Sequence, residues 1–178
     1  RKTLRIVGFD STLITVHKPS WGTSNVEDFW GATGAVLELL ECLRDHALAP
    51  FHRIVRRKTD FASKGEKTEM WHLFLPDLAA LQAVSKRYHS DPNALFQALD
   101  SMRLSKLLGD CRVRVKVEGA NGAIHTRQMS EGEQQLLTVL GLMRFTRQKS
   151  SLYLLDEPDT LLNPAWEVNY LDMLREIA

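Results

Sequence analysis

Two groups of residues in this 178-residue chain have the types and spacing to do chemistry. The first is Leu152-Tyr153-Leu154-Leu155-Asp156-Glu157-Pro158, where a short apolar run ends abruptly in two carboxylates. A continuously apolar run of this length fits a strand buried on both faces of a parallel sheet. Two ionised carboxylates at the end of such a strand are costly unless they meet a cation or a polar ligand. The carboxyl ends of parallel strands are also where open α/β sheets bind ligands. In phosphoryl-transfer terms, Asp156 is placed to hold Mg²⁺, directly or through water, and Glu157 to orient and polarise an attacking water. The bland alternative is a pair of solvated carboxylates in a strand-to-loop turn.

The second group is Met129-Ser130-Glu131-Gly132-Glu133-Gln134-Gln135, directly before a helical stripe of Leu136, Leu137, Leu140 and Met143. Ser130-x-x-Glu133 is a capping box, in which Ser130 caps the helix and Glu133 reaches back to it. The same residues also suit an anion. The Ser130 hydroxyl and the backbone N–H of Gly132 would sit at a helix N-terminus, whose partial positive charge favours phosphate. Both readings can hold at once. A Gly-containing helix start 26 residues ahead of an Asp-Glu pair is a rarer conjunction than either alone.

Ser130 to Gln135 resembles the signature motif of ABC-type ATPases, and Leu152 to Pro158 resembles their Walker B strand. The following Asp159-Thr160-Leu161-Leu162-Asn163-Pro164-Ala165-Trp166 looks like the D-loop. In its narrower form the pattern is similar to bacterial AAA-type ATPases of the ABC superfamily found in anti-phage and restriction-associated systems, including the Septu and retron-associated ATPases and the OLD-like group. The resemblance covers about residues 127–173. It implies ATP and Mg²⁺ as cofactors in a head-to-head homodimer or higher oligomer. Ser130, Glu131, Gly132, Glu133 and Gln134 would meet ATP held by the other subunit, with Ser130 and Gly132 at the γ-phosphate. Asp156 would hold Mg²⁺ and Glu157 would be the catalytic carboxylate for the nucleotide of their own subunit, while Asp159 and Asn163 would lie at the dimer interface.

The chain departs from that pattern in identifiable places. It contains no G-x-x-x-x-G-K-[ST]; the nearest approach, Lys64-Gly65-Glu66-Lys67-Thr68, has an extra residue between Gly and Lys and no first Gly at the required distance. No His follows Glu157, Asn163 stands where transporter-type heads usually have Asp, and Leu161 where relatives often carry His. One explanation is a carboxyl-side portion of a head whose P-loop lies upstream and whose switch histidine lies downstream; the other is a degenerate head without hydrolysis. The intact Asp156-Glu157 pair favours the first, and without the phosphate cradle these residues alone should bind ATP poorly.

Elements must position these groups. Leu4 to Val7 and Thr12 to Val16 are β-rich and predict a hairpin around Gly8 to Ser11, and Val26 to Leu48 has helical spacing weakened by Gly31 and Gly34. Phe51 to Arg57 and Glu69 to Leu75 predict a second hairpin. Pro76 and Asp91-Pro92 each suit a helix start. Arg112 to Val117 alternates strictly and, with Asn121-Gly122, predicts a third hairpin to Ala123–Met129. The fold class expected is thus α/β, an ABC-type P-loop NTPase head, with a mixed α+β lobe of hairpins and helices over residues 1–110 and the signature helix, Walker B strand and D-loop over 111–178.

Composition narrows the function classes. With 44% apolar and 25% charged residues, ten Gly and six Pro, the chain is a soluble globular type and not collagen-like or mostly disordered. A net charge of +1 gives no global attraction to nucleic acid or membrane, so either partner would need a local patch. The basic cluster Arg53, Arg56, Arg57, Lys58, Lys64 and Lys67 is such a patch for DNA or RNA, although most such clusters are solvated hairpin faces. No run reaches the ~20 apolar residues of a membrane span, which makes a cytoplasmic setting the default. Cys42 and Cys111 lack CxxC spacing, and the six His lack HxxxH or HExxH spacing.

The function expected from the resemblance is ATP binding and hydrolysis that gates an effector, such as a nuclease or toxin, in bacterial anti-phage defence. The alternatives are a RecF- or SMC-like head for DNA repair or chromosome maintenance, and a non-catalytic, nucleotide-dependent scaffold module.

Overall fold

The computed structural model describes residues 6–57, 66–146, 152–157, 162 and 164–177. Five strands, β1 (Ile6–His17), β2 (Phe51–Arg57), β3 (Glu66–Leu75), β4 (Leu108–Val117) and β5 (Ala123–His125), hydrogen-bond in the order β2-β3-β1-β4-β5. The pairings β1–β3, β2–β3 and β4–β5 are antiparallel. The helices are α1 (Gly34–His46), α2 (Leu78–Arg87), α3 (Pro92–Leu104), α4 (Glu131–Thr146) and α5 (Pro164–Ile177). By contact the chain divides into two compact units, Asp10–Val113 and Arg1–Phe9 with Arg114–Ala178. No helix among the described residues is long and apolar enough to cross a membrane.

In the unit Asp10–Val113, the alternation of β1 and β3 directs Ile14, Val16, Trp71, Leu73 and Leu75 into one core with Leu39, Leu40 and Leu43 of α1, Val84 of α2, and Ala98 and Met102 of α3. The second and third hairpins form where the strand periodicity placed them, but β5 ends at His125 instead of running to Met129, because His125 caps a 3₁₀ turn over Thr126–Gln128. The first does not: β1 runs unbroken through Gly8 to Ser11. Its polar residues fit inside a strand because their hydroxyls find partners, Ser11 donating to Asp10 Oδ2 (3.0 Å) and Thr12 to the Arg112 carbonyl (3.2 Å). Asp91 caps α3 with Pro92 in its first turn, as the sequence implies. Asp77, not Pro76, starts α2, accepting the Ala80 N–H at 2.8 Å.

The largest departure lies ahead of α1. Residues from Val26 form a compact turn instead of helix, with Phe29, Trp30 and Gly31 all at positive φ. The Thr23 N–H donates to the Trp30 carbonyl (2.7 Å) and the Trp30 N–H to the Asn25 carbonyl (2.6 Å), closing the loop. A left-handed conformation costs non-glycine residues roughly 1–2 kcal/mol each. It is held here because it buries both Phe29 and Trp30 completely, and burying an aromatic side chain is worth about 1.5–3 kcal/mol.

Glu69 of β3 anchors that turn. Its Oε2 accepts the Trp30 indole N–H at 2.9 Å, Lys18 Nζ lies 3.2 Å from Oε1, and His52 Nε2 stands 3.7 Å from Oε2. Burial alone would raise the Glu69 carboxyl. The hydrogen bonds from Trp30 and Lys18 and the charges of Lys18 and His52 outweigh it and hold the carboxyl below its ordinary range. Glu69→Ala should destabilise the protein by about 1–3 kcal/mol in urea unfolding at neutral pH, because it strands the buried Trp30 N–H. Since the folded carboxyl is lowered, its contribution is complete above the ordinary carboxylate range and is lost as pH falls through the folded value. The stability gap between wild type and Glu69→Gln should therefore close on acidification; a pH-independent gap would show that the charge is irrelevant.

Candidate functional site

The helix start that carries the Ser-Glu-Gly-Glu-Gln residues is built as the capping box requires. The Ser130 N–H donates to Glu133 Oε2 (2.9 Å), the Ser130 hydroxyl donates to the same oxygen (3.0 Å), and the Glu133 N–H donates back to Ser130 Oγ (3.3 Å). Gln134 adds a second tie, its side-chain amide donating to the Met129 carbonyl at 2.8 Å and its N–H to the Ser130 carbonyl at 3.0 Å. Ser130 and Glu131 are exposed, whereas Gly132 and Glu133 are buried. The acidic residues Glu131 and Glu133 in the first turn complement the positive end of the helix dipole. The cap thus anchors itself by a buried carboxylate while Ser130 and Glu131 stay exposed.

Leu136 and Met143 of α4 are buried and Leu140 is half-buried, while Leu137 lies outside the stripe. Leu136 packs with Leu162 and with Tyr170 and Met173 of α5. Trp166 of α5 joins this cluster.

The Asp156-Glu157 pair is exposed on the segment 152–157, and Glu157 has a left-handed backbone (φ 40°) that turns the chain sharply there. The expected strand is not observed. None of the described strands pairs with Leu152–Leu155, and Leu152 and Leu154 are 84% and 88% exposed. A strand apolar on both faces is stable only between neighbouring strands that take up its backbone groups and cover its side chains; the described residues supply none beside it. The expected parallel sheet is thus replaced, among the described residues, by the antiparallel pairings of β1 to β5.

Tyr153 instead ties the segment down. Its hydroxyl donates to the Met143 carbonyl at 3.0 Å and lies 3.4 Å from Thr146 Oγ1, at the last turn of α4. Sequence reasoning missed this role; the one polar atom in the apolar run was the available signal. Met143 lies about 20 Å along α4 from Ser130 at 1.5 Å per residue. The cap and the carboxylate segment are therefore attached toward opposite ends of one helix. Pro158 to Leu161 and Asn163 lie outside the described residues, and with them the expected contacts of Asp159 and Asn163. Among the described residues no three His, Cys, Asp or Glu side chains gather as a metal-holding group. His125 ends β5 and accepts the Arg127 N–H, a turn-capping role.

Ser130→Ala and Glu133→Ala should each destabilise the protein by about 1 kcal/mol. The double variant should lose less than the sum, since both remove one reciprocal cap. Additive losses in chemical denaturation would show that the two residues do not act together.

Residues 41–178, which include both motif groups, match the family described as "AAA domain, putative AbiEii toxin, Type IV TA system". No curated protein and no solved structure matches the chain. An AAA domain is a nucleotide-binding ATPase domain that typically uses Mg²⁺. Because the match spans most of the chain and both candidate groups, the chain belongs to this AAA domain family.

Proposed function

We propose that the chain is the signature-bearing part of an ABC-type ATPase head that hydrolyses Mg-ATP between two copies and uses the resulting motion to gate an effector, a nuclease or toxin, in bacterial defence. The observation that carries this reading is the separation of the two half-sites along α4. Ser130 caps its start and the Asp156-Glu157 segment is tied near its end, so a nucleotide meeting both kinds of residue is most simply served by two copies. The family match over 41–178 supplies the nucleotide.

The residues present fit such a ligand. Ser130 is exposed at the helix start, where first-turn N–H groups favour phosphate. To donate to a phosphate oxygen, Ser130 Oγ must turn its proton from Glu133 Oε2; the Ser130 N–H keeps Glu133 in place while it does so. Glu131, Gly132, Glu133 and Gln134 shape that first turn in trans. Asp156 offers a hard oxygen donor of the kind Mg²⁺ takes, one or two carboxylates with water and phosphate completing the shell. Mg²⁺ would supply charge neutralisation at the phosphates. Glu157 would hold and polarise the attacking water, and Asp159 and Asn163 would couple the two sites across the interface.

In the full-length protein, Glu157→Gln should preserve ATP binding, lower turnover by about 10²–10⁴-fold and accumulate an ATP-trapped dimer in sedimentation or light scattering. Ser130→Arg should abolish the ATP-dependent dimer by placing bulk and charge at the phosphate contact. If Ser130→Arg dimerises and hydrolyses normally, the signature assignment is wrong.

A further inference from the structure

We infer that the face of the β2–β3–β1 sheet turned away from helices α1 to α3 is a binding surface for single-stranded nucleic acid. The register sets two cross-strand rows on this face, because side chains alternate and Trp71, Leu73 and Leu75 point into the core. One row is Phe51, His72 and Thr15; the next, two residues along or about 6.8 Å, is Arg53, Met70 and His17. Phe51 stacks on His72 with ring centroids 4.7 Å apart at 25° and is 51% exposed, so one face of its ring is covered and the other is open. The His17 ring lies against Gly109 of β4 so closely that a Cβ there would come within 2.6 Å of it. Three planar rings thus tile adjoining positions on one sheet face.

Charge completes the surface. Arg53 is exposed and makes no ion pair or hydrogen bond among the described residues. Arg112 donates to Asp110 through Nε at 2.7 Å, which directs its two terminal nitrogens elsewhere. Both arginines lie close enough to His72 that, after burial, they and His17 hold its imidazole below the ordinary range; at neutral pH the ring is an uncharged, planar partner. Arg56 and Lys67, opposite each other in the register, share the parity of Trp71 and belong to the other side of the sheet, so the cations of this face are Arg53 and Arg112. Glu69 points to the other side, toward Trp30.

Aromatic faces beside arginines with guanidinium nitrogens to spare are what a single strand requires, because unstacked bases can lie on rings while phosphates meet cations. A duplex keeps its bases stacked inside and would use only the charges. The surface lies wholly within the unit Asp10–Val113 and does not depend on the nucleotide reading.

The test is fluorescence anisotropy of the wild-type protein with labelled oligothymidine, oligouridine, duplex DNA and heparin across a salt series. The expected result is binding of oligothymidine or oligouridine in preference to duplex and heparin, the better of the two naming the natural sugar. Phe51→Ala should weaken it about tenfold or more, and Phe51→Trp should retain it. Arg53→Ala should reduce the slope of log affinity against log salt by about one. Thermal melts of each variant separate binding loss from unfolding, since Phe51 and Arg53 are exposed. No single-strand binding at low salt, or equal binding of heparin and duplex that Phe51→Ala leaves unchanged, would overturn the proposal.

Discussion

The hydrogen bond from the buried Trp30 indole to Glu69 is the contact on which the larger unit turns. Without it the left-handed Phe29-Trp30-Gly31 turn would bury an unsatisfied donor, and α1 would enter the core at a different residue. With it, one carboxylate collects an indole, an ammonium and an imidazole and so fixes the loop before α1, the end of β1 and the start of β2 on the same strand. The Trp71 indole N–H, donating to the Val26 carbonyl at 3.3 Å, ties the same turn from the neighbouring position of the core face. A polar group inside an aromatic core is costly only when unpaired. Here its pairing decides where the helix begins.

Much of the local structure was legible because it depends on neighbours in sequence. Asp91-Pro92, the Ser130–Glu133 reciprocity and the alternation of β2, β3 and β4 involve contacts a few residues apart, and each appears as its spacing implies. What could not be read depends on distant partners. Nothing in Val26 to Gly31 reveals that Glu69, some forty residues away, would hold the indole of Trp30, so a helical stripe was the natural inference. Gly8 to Ser11 look like a turn until Arg112 offers its carbonyl to Thr12. The apolar Leu152–Leu155 run carries a strand pattern whose fulfilment requires neighbouring strands. The AAA domain family could be anticipated from the motifs, because their residue types and spacing lie close together in the sequence.

The cap at α4 is compatible with the phosphate contact proposed for the same residues. Glu133 is buried and satisfied by the Ser130 N–H and hydroxyl, which keeps the helix start rigid whether or not Ser130 turns toward another acceptor. Exchanging one acceptor for another at a preformed helix start requires little reorganisation, which suits the phosphate contact proposed for Ser130. Tyr153 gives the opposite end of the helix a comparable fixed point.

Among the described residues β2 is the outermost strand of the sheet, with no further strand beside it, and such an edge exposes backbone groups that could pair with the same edge of another molecule. Arg53 and Arg56 on that strand, with Lys67 beside it, make two such edges repel each other. Ile54, 58% exposed on the same strand, would otherwise favour the pairing. The arginines therefore act as a guard against strand-to-strand self-association whose strength is set by ionic strength: where salt shortens the range of charge to a few ångströms, the colloidal behaviour of the protein is governed by Ile54 and Phe51 instead.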